Sequence, residues 1–489
     1  MRTLLVAGMM VAALALGLTR TAPASHAPTF ASTGRAAVGT LLHTYYAGHG
    51  RWRACSARGC ALGNADWGDD SLTYALAMRA RLTGDPSLVR VLRALTRSAR
   101  QYPAPCRALA KCRGWSDVPE WDAVALADEY EVTHDPAALA KARSAFRFVD
   151  GASVYNRGSC PAVPYQQPAG RVDHLKTLET TANAVKAALL LYRATGERGY
   201  LQSALAGYGA ARRYFLDRDV PLYSAYVFDD GHRCRQLRRR FFASVNGDMI
   251  WSGVELYRDT ADVAYLGDAT LTAAAVAHRL ADGRGIFADL QAENDIVEPL
   301  VEGMQALEHT GLPLARKWLL TNARAALSAR AADGSYGRFF DGPPPRTTTT
   351  AWQTNGGLAL EIAAAAIAPS DAVKNTTPWH SSRRVVRDIH KLPAKLTFRG
   401  SGITLFGTLG EHCCRKGHAR VLIDGRATFD ASGIWQNKSS SGRKIPNTVL
   451  FAWRWRRSAR HTLTFARALA NAKEGGSYLH LAGYSVLGR

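Results

Sequence analysis

The sequence predicts two architectures in series: an all-α (α/α)6 toroid built from six helical hairpins, followed by a small all-β sandwich. Three observations carry this. Apolar residues keep a helical period to about Ala368. A short helix-end motif recurs five times within that stretch. After about Pro369 the helical period is lost and short alternating runs take over.

The order of elements begins with an export signal. Arg2, an apolar run from Leu4 to Leu18, and small residues at Ala22, Ala24 and Ala27 read as a secretory peptide over residues 1–27. The run is too short for a comfortable membrane span, and no later stretch is long and apolar enough for one. A secreted, extracellular protein is expected. The eight cysteines agree with an oxidising compartment. Cys55 with Cys60, Cys106 with Cys112, and Cys160 with Cys234 are the expected disulfides, and Cys413-Cys414 is either a vicinal bond or reduced. None of these cysteines has a zinc-ligand spacing, and neither metal nor cofactor is expected.

Residues 28–368 hold twelve predicted helices. They start near Ala36, Asp69, Ser87, Pro119, Pro136, Lys176, Tyr200, Asn246, Leu266, Asn294, Pro313 and Asn355. The repeat reads Arg81-Leu82-Thr83-Gly84-Asp85-Pro86, then Glu131-Val132-Thr133-His134-Asp135-Pro136. It returns as Arg193-Ala194-Thr195-Gly196-Glu197, Arg258-Asp259-Thr260-Ala261-Asp262 and Glu308-His309-Thr310-Gly311, at intervals of 50 to 65 residues. Each copy ends one helix and opens the next. Six such hairpins close into a ring, with tight turns on one rim and longer links on the other. An open solenoid would use the same repeat. Residues 369–382 form the expected linker, and 383–489 the sandwich. Its strands are expected at 394–398, 402–407, 419–425, 449–453 and 461–465.

The long links precede the inner helices, and that is where a site belongs. Each junction carries acidic or aromatic residues. The first has Trp67, Asp69 and Asp70; the second, Asp117, Glu120, Trp121 and Asp122. The third has His174, Lys176 and Glu179; the fourth, Asn246, Asp248 and Trp251. The fifth has Glu293, Asp295 and Glu298; the sixth, Trp352 and Asn355. Glycoside hydrolysis uses two carboxylates, and sugar rings stack on wide apolar faces such as tryptophan. Asp and Asn at helix starts also act as ordinary caps, so only the ensemble is informative. It points to a polysaccharide as partner. The candidate catalytic residues are Asp117, Glu120 and Asp122, with Asp69 and Asp70 in reserve. The candidate substrate contacts are Trp67, Trp121, Asp248, Trp251, Glu293, Asp295 and Trp352.

The net charge is +22. An anionic wall polymer or membrane surface would be attracted by it. Basic residues occur along the whole chain, with runs at Arg238-Arg239-Arg240 and Arg454 to Arg457, but no nucleic-acid motif accompanies them. Neither a Gly-x-Ser-x-Gly nucleophile elbow nor a phosphate-binding glycine loop is present.

The junction order, over residues 35–366, resembles glycoside hydrolase family 76, the endo-α-1,6-mannanases. In that family the second inner helix opens with an Asp-Asp pair followed by two tryptophans. Here Asp117 and Trp121 match, Val118 replaces the second aspartate, and Asp122 replaces the second tryptophan. Lys176 to Asn183, Val245 to Asp248 and Glu293 to Glu298 are similar to the starts of the third, fourth and fifth inner helices. The resemblance implies an (α/α)6 barrel and hydrolysis of an α-linked polymer, mannan-like or from a bacterial wall. It implies nucleophile and general acid/base roles for the paired aspartates. Asp117 keeps one role; Glu120, Asp122 or the pair Asp69-Asp70 supplies the other. Loss of one aspartate also fits a non-catalytic glycan-binding protein. The positive charge fits a toroid enzyme on acidic sugars, a uronyl hydrolase or a lyase. The last hundred residues resemble β-sandwich modules appended to secreted glycosidases, with Trp435, Trp453 and Trp455 as candidate sugar platforms.

Overall fold

The computed structural model describes residues 27–488 apart from 61, 64–66, 104–114, 151–157, 167–173, 238–240, 289–295, 343, 374–381, 386–392, 410–417, 428–433, 436–444, 468–478 and 480. The signal, Cys106, Cys112, Cys413, Cys414, Glu293, Asp295, Arg238-Arg239-Arg240 and most of the linker lie outside the described residues.

Twelve α-helices appear in the described residues before 369, with a π-helical turn, Leu41–Tyr45, continuing the first. They are α1 (Phe30–Thr40), α2 (Trp67–Thr83), α3 (Pro86–Ser98), α4 (Asp117–Thr133), α5 (Pro136–Asp150) and α6 (Leu178–Thr195). They continue with α7 (Arg198–Tyr214), α8 (Ala243–Thr260), α9 (Val263–Arg279), α10 (Glu298–Glu308), α11 (Pro313–Ser328) and α12 (Ala351–Ile367). The even-numbered helices are buried nearly all round, whereas α3, α5 and α7 bury one stripe. That difference separates an inner layer from an outer one. Each inner helix packs on the next, α2 on α4, α4 on α6, α6 on α8, α8 on α10 and α10 on α12, and α12 packs back on α2. The core is toroid-like.

The repeat has a specific backbone basis. Its fourth residue, Gly84, His134, Gly196, Ala261 or Gly311, has φ between 51° and 86° in every copy. As His134, Gly196 and Ala261 this left-handed residue caps the first helix directly, whereas Gly311 follows the end of α10 by three residues. Asp85, Asp135 and Asp262 then accept backbone amides of Ser87, Ala137 and Ala264 and open the second. His134 and Ala261 meet the conformation without glycine, at a cost in backbone strain.

The link before α6 departs from the expected helix at Lys176. Leu175–Thr177 is a strand that pairs with Tyr226–Asp229, which pairs with Cys234–Gln236. The Cys160–Cys234 disulfide pins this small sheet. Buried Asp229 accepts the amides of Ser159, Cys160 and Gly231 and sits 3.2 Å from the buried Lys176 ammonium. A second disulfide joins Cys55 to Cys60.

The C-terminal part is one antiparallel sheet of β1 (Ser382–Val385), β2 (Ala394–Leu409), β3 (His418–Ile423), β4 (Arg426–Ala427), β5 (Ile434–Trp435), β6 (Ile445–Arg467) and β7 (Gly483–Leu487). Its path runs β4, β3, β6, β2, β7, β1, with β5 also on β3. The expected separate strands at 394–398 and 402–407 are two halves of β2. Those at 449–453 and 461–465 are two halves of β6. Pairing shifts between Arg454 and Ala459 on β6, opposite Gly400 to Gly402. Residues from both sides of this break, including Leu396, Phe398, Val421, Leu463, Ile403, Leu405, Phe451 and Tyr484, share one apolar core. The two layers expected of a sandwich are thus halves of a continuous sheet.

The sheet is joined firmly to the helical part. Arg454 is buried, lies 3.3 Å from Asp341 and covers the Phe339 ring at 4.2 Å. The Thr348 amide donates to Asn447 O. Ile445 and Leu409 pack beside the Cys55–Cys60 loop.

Candidate active site

The inner helices start on one rim, and Asp117 opens α4 there, half-buried. Its position is fixed by the preceding residue. The Ser116 amide donates to Gln166 O, while its hydroxyl reaches Tyr165 O and Thr180 Oγ1, both at 2.8 Å. The Gln166 amide in turn donates to Leu175 O, so the small disulfide-pinned sheet sets the start of α4. Glu179 lies in the first turn of α6 and is also half-buried; its amide donates to the Thr177 hydroxyl. Asp117 and Glu179 therefore flank the Ser116–Thr180 contact on neighbouring helices.

Aromatic residues border the same rim. Trp115 is 51% exposed. Trp67 opens α2 and Trp352 lies in the first turn of α12; both are half-buried, with ring centroids 5.8 Å apart and planes inclined by 37°. Gly68 permits this approach, since a Cβ there would lie 3.2 Å from the Trp352 amide nitrogen.

The other predicted residues lie deeper. Glu120 is fully buried, and burial together with Asp150 of α5 pushes its carboxyl well above the usual range. Asp122 is buried against the Tyr102 hydroxyl. It shares a small cavity with Asp70, Thr73, Leu95 and Glu129 between α2, α3 and α4. Asp69 and Asp70 are both buried, and Asp69 packs so close to Gly63 that a Cβ there would lie 2.5 Å from its Oδ2. Helix geometry accounts for the two on α4: Glu120 shares the Asp117 face but lies about 4.5 Å further along the axis, and Asp122 is turned about 140° from it. Trp121 has no exposed surface; it stacks on Tyr74, whose hydroxyl donates to Trp121 O. It is a packing residue, not a sugar contact.

The axis below the mouth is filled by charge. The Lys186 ammonium lies 3.3 Å from Asp248 and 2.5 Å from Glu302, between the Tyr74 and Trp251 rings. Asp248 is buried in this network, and Trp251 is buried between Lys186 and Arg193. Arg81 continues the network to Asp128, Glu302 and Glu131. Arg193 joins Glu131 to Glu255. Glu298, the first residue of α10, is fully buried on the same axis. The Asn355 side-chain oxygen accepts both the Val297 and Glu298 amides and holds it there. Burial and neighbouring Glu302 push Glu298 well above the usual carboxylate range, against the opposing pull of Lys186. Sequence reasoning left Lys186, Glu302 and Arg81 unassigned. The visible signals were a lysine on an otherwise apolar stretch of α6, and glutamates four apart on α10.

No family model matches the sequence, and no curated protein is detectably similar. Solved structures are similar in fold. The helical part of this chain shares the class of fold seen in helical toroid-like structures. More narrowly, its fold is a distant version of the one found in glycoside hydrolase family 76. An α-1,6-mannanase of Salegentibacter sp. HEL1_6 matches with a TM-score of 0.58 and 18% identity, over 69% of this chain and 99% of that one. That structure is an inactive variant, with two consecutive aspartates replaced by asparagine, in complex with α-1,6-mannotriose. A family 76 mannosidase of Bacteroides thetaiotaomicron VPI-5482 matches with a TM-score of 0.59 and 14% identity, over 69% and 98%. An unsaturated glucuronyl hydrolase specific for heparin matches at 0.51 and 13%, over 71% and 99%.

Proposed function

We propose that this protein is an exported glycoside hydrolase that cuts an α-linked polysaccharide across the rim where the inner helices begin. The observation that carries this reading is the pairing of Asp117 and Glu179. They are partly exposed residues at the starts of adjacent inner helices, with Asp117 next to Trp115 in the chain and its Oδ1 buried, on the rim that carries Trp67 and Trp352. Glu179 then takes the place that Val118 leaves empty relative to the family's aspartate pair. Glu120, Asp122, Asp69 and Asp70 are too deeply buried to meet a sugar.

In the reaction one carboxyl gives its proton to the glycosidic oxygen as the bond to the anomeric carbon breaks. The other carboxylate attacks that carbon or takes a proton from the attacking water. Tryptophan faces hold the sugar rings. The ring of packed inner helices supports an (α/α)6 toroid over 28–368. The composition supports a signal at 1–27, a linker at 369–382 and a sheet module over 383–489.

The test is release of reducing ends from α-mannans and purified wall polysaccharides. Asp117→Asn and Glu179→Gln should each lower kcat by about 10²–10⁴-fold, the usual worth of an acid/base group. Unchanged hydrolysis in both variants would remove these residues from the reaction. Binding without hydrolysis by the unaltered protein would favour the glycan-binding alternative.

A further inference from the structure

The positive charge is concentrated in one part of the chain. Residues 382–489 hold twenty Lys and Arg against five Asp and Glu, a balance of +15 out of the chain's +22. The remaining 381 residues carry only +7. Part of this excess is organised on one face. Along the first half of β2 and the second half of β6, alternation buries Leu396, Phe398, His461, Leu463 and Phe465. It turns Lys395 and Arg399 of β2, Arg460 of β6 and Arg420 of β3 outward, all exposed.

Arg399 and Arg460 stand directly opposite each other in register. Like charges in that relation destabilise a sheet, and nothing in the packing requires them. None of the four cations has an ion-pair partner among the described residues. The one described carboxylate of residues 382–489, Asp424, is engaged by His461 at 2.8 Å and by the Thr462 amide. Between the cations lie Thr397 and Thr462, whose hydroxyls touch at 3.1 Å and remain exposed.

We infer that this face docks a carboxylate-bearing polysaccharide. Arginine forks match carboxylates in a bidentate manner, and the threonine hydroxyls suit sugar hydroxyls. The outward side chains on these strand segments include no aromatic ring, so bases have no stacking platform. They also form no apolar wedge for insertion into a bilayer. The sugar nature of the partner rests on the hydrolase reading; its negative charge does not.

The experiment uses the full chain carrying Asp117→Asn, so that hydrolysis plays no part. Binding to polygalacturonate is measured by calorimetry against neutral α-mannan across a salt series. Polygalacturonate should bind, weakening with salt, and Arg399→Ser/Arg460→Ser should reduce the slope of log Kd on log salt by about 1.4, at ~0.7 per lost contact for a flexible polyanion. At low salt the double variant should bind roughly tenfold weaker or more. Its Tm should hold or rise, because the repulsive pair is gone. If it does not fold, Lys395→Thr/Arg420→Thr provides the same comparison. Unchanged binding in the folded variant would overturn the proposal. So would equal binding of α-mannan, or tighter binding of duplex DNA or phosphatidylserine vesicles. Loss of hydrolysis with docking intact would leave this proposal standing, and the reverse result would leave the hydrolase standing alone.

Discussion

Replacing Glu129 with glutamine should stabilise the protein at pH 8 and leave it unchanged at pH 5. Glu129 lies in the second half of α4, fully enclosed, with the Thr96 hydroxyl of α3 against its carboxyl. Burial raises its pKa from 4.5 to about 8; Thr96 and Lys141 oppose this, and Asp128 and Asp122 add to it. The folded protein therefore holds a proton that the unfolded chain releases above pH 4.5. Between pH 4.5 and about 8 the native state binds more protons, so stability falls as pH rises. At 1.36 kcal/mol per pH unit the interval has an upper bound of about 5 kcal/mol. Relaxation around the buried charge reduces this, and about 2–3 kcal/mol is expected. Glutamine keeps the shape and the bond to Thr96 without the titration. For a helical part of this size the gain corresponds to about 3 °C in Tm at pH 8. Calorimetric scans of both proteins at pH 5 and pH 8 make the comparison. An equal Tm difference at the two values would refute the argument, because a packing effect has no such pH dependence.

Other outcomes follow from the same structure. Ala261→Gly should gain about 1 kcal/mol in urea unfolding, since alanine at φ 60° carries the left-handed penalty that glycine lacks. Its mirror control, Gly196→Ala, should lose a similar amount. Trp352→Ala should raise KM about three- to tenfold with a smaller change in kcat, in line with a stacking surface worth ~1 kcal/mol. Arg454→Met should cost about 3 kcal/mol by stranding Asp341, read as a lower Tm or a split unfolding transition.

The helical architecture was legible because its signals are local. Gly or its substitutes at the fourth position of each repeat, and Asp just after, mark helix ends by backbone chemistry that needs no tertiary context. The helix expected near Lys176 starts at Leu178; the strand before it was not foreseen, because Leu175 to Thr177 pairs with Tyr226 to Asp229, some fifty residues away, and no local pattern reports such pairing. The acidic junctions were visible, but which carboxylate faces the mouth was not. Asp117, Glu120 and Asp122 differ by less than two turns, yet one is half-exposed and two are buried among outer-layer side chains. In the sheet, alternation located the strand segments of β2 and β6. It divided each strand in two because Gly400-Ser401-Gly402 and the irregular pairing opposite interrupt the pattern.

A ring made from a linear chain must have one seam, where its first and last turns meet. Here α1 packs on α12 and α12 on α2. The incoming and outgoing strands of chain are already stitched there: the Phe30 amide donates to Asp371 O, and the Val373 amide to Pro28 O. The sheet grips the same place. Arg454 holds Asp341 just before α12, Asn447 holds Thr348, and Ile445 rests on the Cys55–Cys60 loop just before α2. The sheet, which follows the helices in sequence, thus fastens the joint that no helical hairpin secures. The sheet works as a clasp, and the shape of the mouth depends on a segment that contributes none of its carboxylates.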